Sequence, residues 1–329
     1  MKVLTHKYKL SPRQSLNAQA ADDKREGTLL QVQFDDDRIG YADLFPWVEL
    51  GDLTLLDQLW SLKTGNYTEA VQQSLNLARI DAEARWSKQK LLSEVNLKNH
   101  FLIPDILKMP EETVEWIQKG AFNKVKVKMG RELLKETLLL DQLAQILGDS
   151  VRFRLDFNCS LEFDEFESWI PSLTPYLRSQ IEYYEDPFPY HPEFWEAISE
   201  VFKVTLALDH AADPIAVQAR GAGVIVIKPA KQNAEKILHT LAPMNKRFVF
   251  SHYMDHPVGR MGAIYTAMEM QKKYGELILE CGLNDFGFYD EDDFSRELVA
   301  DTAQTKILDS GFGIGFDEQL SDLEWKKWI

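Results

Sequence analysis

The sequence predicts an α/β protein, a closed parallel barrel that follows a separate α+β block. Three observations predict it. From about Lys98 onward, eight short apolar segments alternate with amphipathic ones. Five of those segments carry an ionisable residue at or next to their carboxyl end: Lys128, Asp156, Glu185, Asp209 and Lys228, at steps of 28, 29, 24 and 19 residues. A strand, a loop and a returning helix use about that much chain. Third, no GxGxxG follows an early strand, which weakens the case for an open doubly wound sheet. A closed barrel brings every strand tip to one face, where such barrels do their chemistry.

The elements follow in order. Residues 1–97 read as an α+β capping block. VLTHKYKL and TLLQVQFDDDRIGYADL pattern as antiparallel strands, with DDDRIG as a hairpin turn. Helical spacing runs from about Leu53 to Lys90. The polar stretch at 11–27 is long for a hairpin loop and reads as a lid or a mobile connection. Residues 98–290 hold the barrel strands: HFLIP (100–104), NKVKVKM (123–129), VRFRLDF (151–157), IEYYE (181–185), VTLALD (204–209), VIVIK (224–228), RFVFSH (247–252) and LILEC (277–281). They are rich in Val, Ile, Leu and Phe. RELLKETLLLDQLAQILG places Leu at helical spacing and stops at Gly148. PVGRMGAIYTAMEMQKKYG opens on Pro257 and closes on Gly275. Residues 291–329 form a tail that packs back on the cap, with GFGIGF (311–316) irregular.

The chain has 329 residues, 45% of them hydrophobic, and a net charge of −15. That balance argues against nucleic acid and anionic membrane surfaces as partners. Two cysteines, Cys159 and Cys281, are too few for a disulfide framework. The start lacks an apolar signal stretch, and no run is long enough to span a bilayer. The expectation is a cytoplasmic protein, a monomer or small homo-oligomer, acting on a small carboxylate.

The strand-end residues carry the chemistry. KVKVK alternates, so Lys124, Lys126 and Lys128 share one face and Val125 and Val127 the other. Lysines inside a barrel are costly unless used. Lys128 lies nearest the carboxyl end and is placed to reach a substrate. Lys126, one pleat below, presses a second positive charge on it and lowers its pKa, as a lysine base at neutral pH requires. The alternative for this segment is an edge strand with a solvated basic face. Lys228 ends the apolar run VIVIK, and taken alone it also reads as a lysine emerging into solvent.

Asp156, Glu185 and Asp209 each follow an apolar run. Three oxygen ligands without His or Cys suit Mg²⁺. Glu182 and Asp186 are rivals for Glu185. Asn158 can contact a ligand or cap a turn. Ser251 in SHYMDH, and Cys281 and Asn284 after the eighth segment, fall at the site's rim. The eight tryptophans read as packing.

VKVKMG, RLDFN, YYEDP, ALDHA and VIKPA, in this order, resemble the enolase superfamily in its muconate-lactonizing subgroup. The likeness is detailed from Lys98 to Cys281, and REGTLL and GYADLFP fit the superfamily's capping domain. It implies a modified (β/α)7β TIM-type barrel under an α+β cap. It implies Mg²⁺ held by Asp156, Glu185 and Asp209, with Lys128 and Lys228 on opposite sides of the substrate. The reaction implied is removal of a proton α to a carboxylate. The resemblance is strongest to the dehydratases of menaquinone biosynthesis, which act on a cyclohexadiene carboxylate bearing a succinyl chain. N-acylamino acid racemases, dipeptide epimerases and muconate cycloisomerases are the alternatives, and a non-catalytic carboxylate-binding barrel is a distant one. ALDHA in place of Asp-Glu-Ser, SHYMDHP in place of a Ser-rich stretch, and KPAKQNAEK without the frequent Gly pair depart from the subgroup's pattern at substrate contacts.

Overall fold

The computed structural model describes residues 1–13, 24–209 and 213–329. Most of the stretch at 11–27 read as a lid, residues 14–23, lies outside the described residues.

The N-terminal block starts with β1 (Lys2–Leu10), β2 (Arg25–Gln33) and β3 (Ile39–Leu44). They form an antiparallel sheet, and the hairpin between β2 and β3 closes through Phe34 N–H donating to the Arg38 carbonyl at 2.9 Å. Two helices cover one face, α1 (Leu55–Thr64) and α2 (Glu69–Trp86). Thr54 and Thr68 cap them by accepting from Asp57 N–H and Val71 N–H. The alternation of β2 and β3 puts Leu30, Val32, Ala42 and Leu44 against Leu59, Val71, Leu75 and Ala78 of the helices. At Gly40 the approach is so close that a Cβ would stand 1.9 Å from the Ala78 carbonyl oxygen.

The second sheet is parallel and contains β4 (Phe101–Ile103), β5 (Lys124–Lys128), β6 (Arg152–Asp156), β7 (Ile181–Glu185), β8 (Leu206–Leu208), β9 (Ala222–Ile227) and β10 (Arg247–Phe250). They neighbour one another in sequence order. Helices intervene: α3 (Thr113–Lys119), α4 (Leu133–Leu147), α5 (Phe163–Trp169), α6 (Pro175–Gln180), α7 (Pro192–Phe202), α8 (Ala234–Leu241) and α9 (Pro257–Tyr274). α4 stops at Gly148 (φ 68°) and α9 at Gly275 (φ 56°), as the sequence predicts.

The eighth predicted strand, LILEC, is not a continuous strand. It closes the sheet through isolated parallel bridges, Ile278 to Phe248 and Gly282 to Ser251 on one side and Cys281 to Asn99 on the other. No two consecutive residues bond the same neighbour, so the segment reads as bridges and not as a strand.

Two faces of the barrel differ in character. Val125, Val127, Phe153, Leu155, Ile225 and Ile227 are buried in the main core with the helices. The opposite face carries a small apolar cluster of Tyr183, Ala207, Val224, Val226, Val249 and Leu279. Toward the amino ends it also carries ions. Arg154, fully buried, donates from Nε to Glu182 Oε2 at 2.6 Å and from Nη1 to the Glu280 carbonyl at 2.6 Å. Lys124 Nζ lies 2.9 Å from Glu182 Oε1. Glu182 is therefore spent on the barrel floor and is no rival for Glu185.

The tail contributes α10 (Asp317–Ser321) and β11 (Lys326–Lys327). β11 pairs antiparallel with β1, and Val3 and Ile329 exchange backbone hydrogen bonds. Among the described residues no helix is long and apolar enough to cross a membrane.

Candidate active site

Strand register brings the predicted residues together. Lys128 is the Cα partner of Asp156 across β5 and β6, and Asp156 that of Glu185 across β6 and β7. Asp209 is the first residue past β8 and Lys228 the first past β9. Lys126, Lys128, Asp156, Asp209, Lys228, Asn158, Ser251 and Asn284 all line one small cavity of about 70 Å³. Glu185 joins them through Lys126.

Ion pairs dominate the geometry. Lys126 Nζ lies 2.6 Å from Glu185 Oε1 and 2.9 Å from Asp156 Oδ2. Lys228 Nζ lies 2.6 Å from Asp209 Oδ2. Asp186, the other sequence rival, accepts from Asp209 N–H at 3.1 Å and so orients the Asp209 backbone. Asn158 adopts a left-handed backbone (φ 48°) and donates its N–H to Asp156 Oδ1 at 3.1 Å, so it makes the turn that follows β6. Ser251 Oγ donates toward the His252 and Gly282 carbonyls. Asn284 spends its amide on the Thr302 and Gln304 carbonyls, which ties the tail to the rim.

Burial and charge set the protonation states. Burial pulls the Lys128 amine down to about 8, with Lys126 and Lys228 adding to the effect and Asp156 opposing it. Burial would also lower Lys126, but Asp156 and Glu185 outweigh it and hold its ammonium well above the usual value. Burial pushes the Glu185 carboxyl up to about 8 against the pull of Lys126, and the Asp156 and Asp209 charges push the same way. Asp156 is held below the usual carboxylate range, burial being outweighed by Lys126 and Lys128.

The three carboxylates also fit a hard cation. Glu185 Oε2 is buried with no hydrogen-bond partner, an oxygen lone pair held ready at the cluster. The donors are oxygens only, as Mg²⁺ prefers. Among the described residues no three His, Cys, Asp or Glu side chains converge as a formed metal cluster; here the lysines neutralise the acids.

Two parts of the wall escaped sequence reasoning. Trp47 and Leu50 of the cap, and Tyr253 after β10, line the cavity. Trp47 is thus a wall of the site as well as core packing. Only its place in the cap loop after GYADLFP could have marked it. His252 and His256, in SHYMDH after β10, are spent on the backbone. His252 Nδ1 accepts from Met254 N–H and His256 Nδ1 from Val258 N–H, the latter capping α9. Burial pulls them down to about 4 and about 3.

A parallel barrel closed under an α+β cap, with three carboxylates between two lysines around its mouth, defines an enolase-superfamily enzyme. A curated o-succinylbenzoate synthase of Bdellovibrio bacteriovorus is 38% identical over 99% of this chain and 98% of its own length. The family profile described as O-succinylbenzoate synthase, N-terminal domain, matches residues 3–84. The chain belongs to the o-succinylbenzoate synthase family. Among solved structures, the Mg-complexed o-succinylbenzoate synthase of Thermosynechococcus elongatus superposes with a TM-score of 0.68, at 20% identity over 92% of this chain and 97% of that one. The N-succinyl Arg/Lys racemase of Bacillus cereus gives 0.79 at 16% identity over 98% of each chain. These two likenesses speak to the fold.

Proposed function

We propose that this protein is an o-succinylbenzoate synthase that works in menaquinone biosynthesis. Its substrate is a cyclohexadiene carboxylate bearing a succinyl chain and a ring hydroxyl. Asp156, Glu185 and Asp209 would hold Mg²⁺. The bound ion would stabilise negative charge developing on the substrate carboxylate. Lys128, as the neutral amine, takes the proton α to that carboxylate. The resulting ammonium gives the proton to the departing hydroxyl, which leaves as water, and the ring becomes aromatic. Lys228 stays charged and faces the developing negative charge from the other side. Lys126 keeps the acids ordered and lowers Lys128. Asn158 and Ser251 would contact the substrate at the rim, and Asn284, its amide held by the Thr302 and Gln304 carbonyls, would shape the wall beside them.

Lys128 carries the reading. It is a buried amine at a strand tip, brought down to about 8 within a cavity that also holds Lys228 and the acids. The full-length likeness to the Bdellovibrio protein supports the choice of substrate. The test is direct: with Mg²⁺, the purified chain should convert the succinyl cyclohexadiene carboxylate to o-succinylbenzoate, and chelator should stop it. Full activity in excess chelator would refute the metal assignment, and no turnover would refute the function.

A second reading, racemisation of an N-acylamino acid, has one observation in its favour. Lys128 and Lys228 come from different strands to line one cavity, as a two-base reaction needs. Exchange of an N-acylamino acid's α-proton with D₂O would reveal it.

A further inference from the structure

Among the described residues the cap meets the cavity through Trp47 and Leu50, and the carboxylate of Asp52 fastens that turn. Asp52 lies just past the Trp47–Leu50 turn of the cap. Its Oδ2 accepts from Trp47 N–H at 2.9 Å and from the Tyr253 hydroxyl at 2.8 Å. Its Oδ1 accepts from Lys231 Nζ at 2.8 Å. Lys231 Nζ also donates to the Tyr253 hydroxyl at 3.0 Å, which closes a triangle. Lys231 belongs to the turn after β9, and Tyr253 follows β10, so two barrel loops and one cap loop meet at this carboxylate.

The triangle differs from an ordinary surface ion pair. The Asp52 side chain is only 12% exposed, and its bonds are charge-assisted. Tyr253 is buried, and burial together with the Asp52 charge raises its phenol, so the hydroxyl keeps its proton and donates. The Tyr253 ring in turn lies 5.6 Å from Lys228 Nζ and 5.7 Å from the Trp47 ring. The Arg25 guanidinium stacks over the Trp47 ring, 3.6 Å from its centroid.

We propose that Asp52 is a positioning residue: through Tyr253 and Lys231 it locks the Trp47–Leu50 wall against the barrel, and so it sets how tightly the substrate is enclosed. This rests on the proposed function only for the identity of the substrate. The lock itself is a property of the chain. Binding energy from a fixed wall is present before the chemistry starts, so its loss falls on KM more than on kcat.

The test uses the full chain as parent, Asp52→Asn, Tyr253→Phe and the double variant. Two readouts are taken. Hydrogen exchange across 47–52, without substrate, should quicken by at least about tenfold in Asp52→Asn, with 124–128 unchanged. With Mg²⁺ and the succinyl cyclohexadiene carboxylate, KM should rise at least about fivefold in either single variant while kcat stays within about threefold. The double variant should fall clearly short of the product of the two single effects, because the Tyr253–Asp52 bond is lost in both. A purely structural role would lower the folded fraction and leave KM alone. Should Asp52→Asn fail to fold, Tyr253→Phe keeps the ring and reads the same lock. Unchanged exchange at 47–52, or KM within about twofold of the parent, would overturn the proposal. If the parent shows no turnover, the proposed function falls, and the exchange experiment alone decides on the lock.

Discussion

Lys126 bonds Glu185 at 2.6 Å while its second contact, at 2.9 Å, reaches Asp156 on the neighbouring strand. One ammonium thus holds two strand-end acids that would otherwise repel. Removing one partner of a buried pair typically costs about 3–5 kcal/mol. Lys126→Met should therefore lower stability by about 3 kcal/mol in chelator. Added Mg²⁺ should restore more stability to the variant than to the parent, since Lys126 no longer competes with the ion for Glu185 and Asp156. Thermal melts with and without Mg²⁺ check this, and an equal Mg²⁺ effect on both proteins would count against the metal assignment.

The rate should follow the Lys128 amine. A base must be deprotonated, and the folded protein brings this amine from 10.5 to about 8. Below about pH 8 kcat/KM should therefore fall about tenfold per pH unit, and above it should level off. Lys126 is one of the charges that lower Lys128, so Lys126→Met should move this limb to higher pH. A pH profile of both proteins decides the matter, and a limb that moved the other way would contradict the assignment.

Replacing the two lysines separates one-base from two-base chemistry. Lys128→Ala should abolish α-proton exchange and product formation together, a loss of about 10²–10⁴-fold or more. Lys228→Arg keeps positive charge with a different shape. It should retain part of the dehydration and lose any racemase activity. Equal inactivity of both variants on the dehydration substrate would end the one-base assignment.

Asp209 offers the cleanest probe of the acids, because it stands past the end of β8 and its loss breaks no strand. Asp209→Asn should raise the Mg²⁺ concentration for half-activation by at least about tenfold, a weakening of about 1.4 kcal/mol. Turnover should nearly vanish, and the melting temperature in chelator should fall as well, because Lys228 loses its buried partner. Titration of activity with Mg²⁺ gives the answer.

Much of this geometry is legible in the sequence because parallel strands are short apolar runs and their tips are where charge first becomes affordable. Asp156, Glu185 and Asp209 stand out for that reason. The partner of Lys126 is less legible. Alternation puts Lys126 and Lys128 on one face, but not which acids each will meet, since that depends on register with strands about 30 and 60 residues away. LILEC has the composition of a strand, yet only isolated bridges, Ile278 to Phe248 and Cys281 to Asn99, tie it to its neighbours, which composition does not reveal. Asp52, Trp47 and Tyr253 lie in loops with no periodicity, and only folding makes them adjacent.

The pairing of β11 with β1 has a consequence for how the chain is made. The last strand of the cap sheet is supplied more than 300 residues after the first, so a ribosome must deliver the whole barrel before the cap can be finished. Until then β1 presents an open edge, which a growing chain must shield from its neighbours. The cap sheet, begun ahead of the barrel, is thus completed only behind it, and its assembly is tied to that of the barrel.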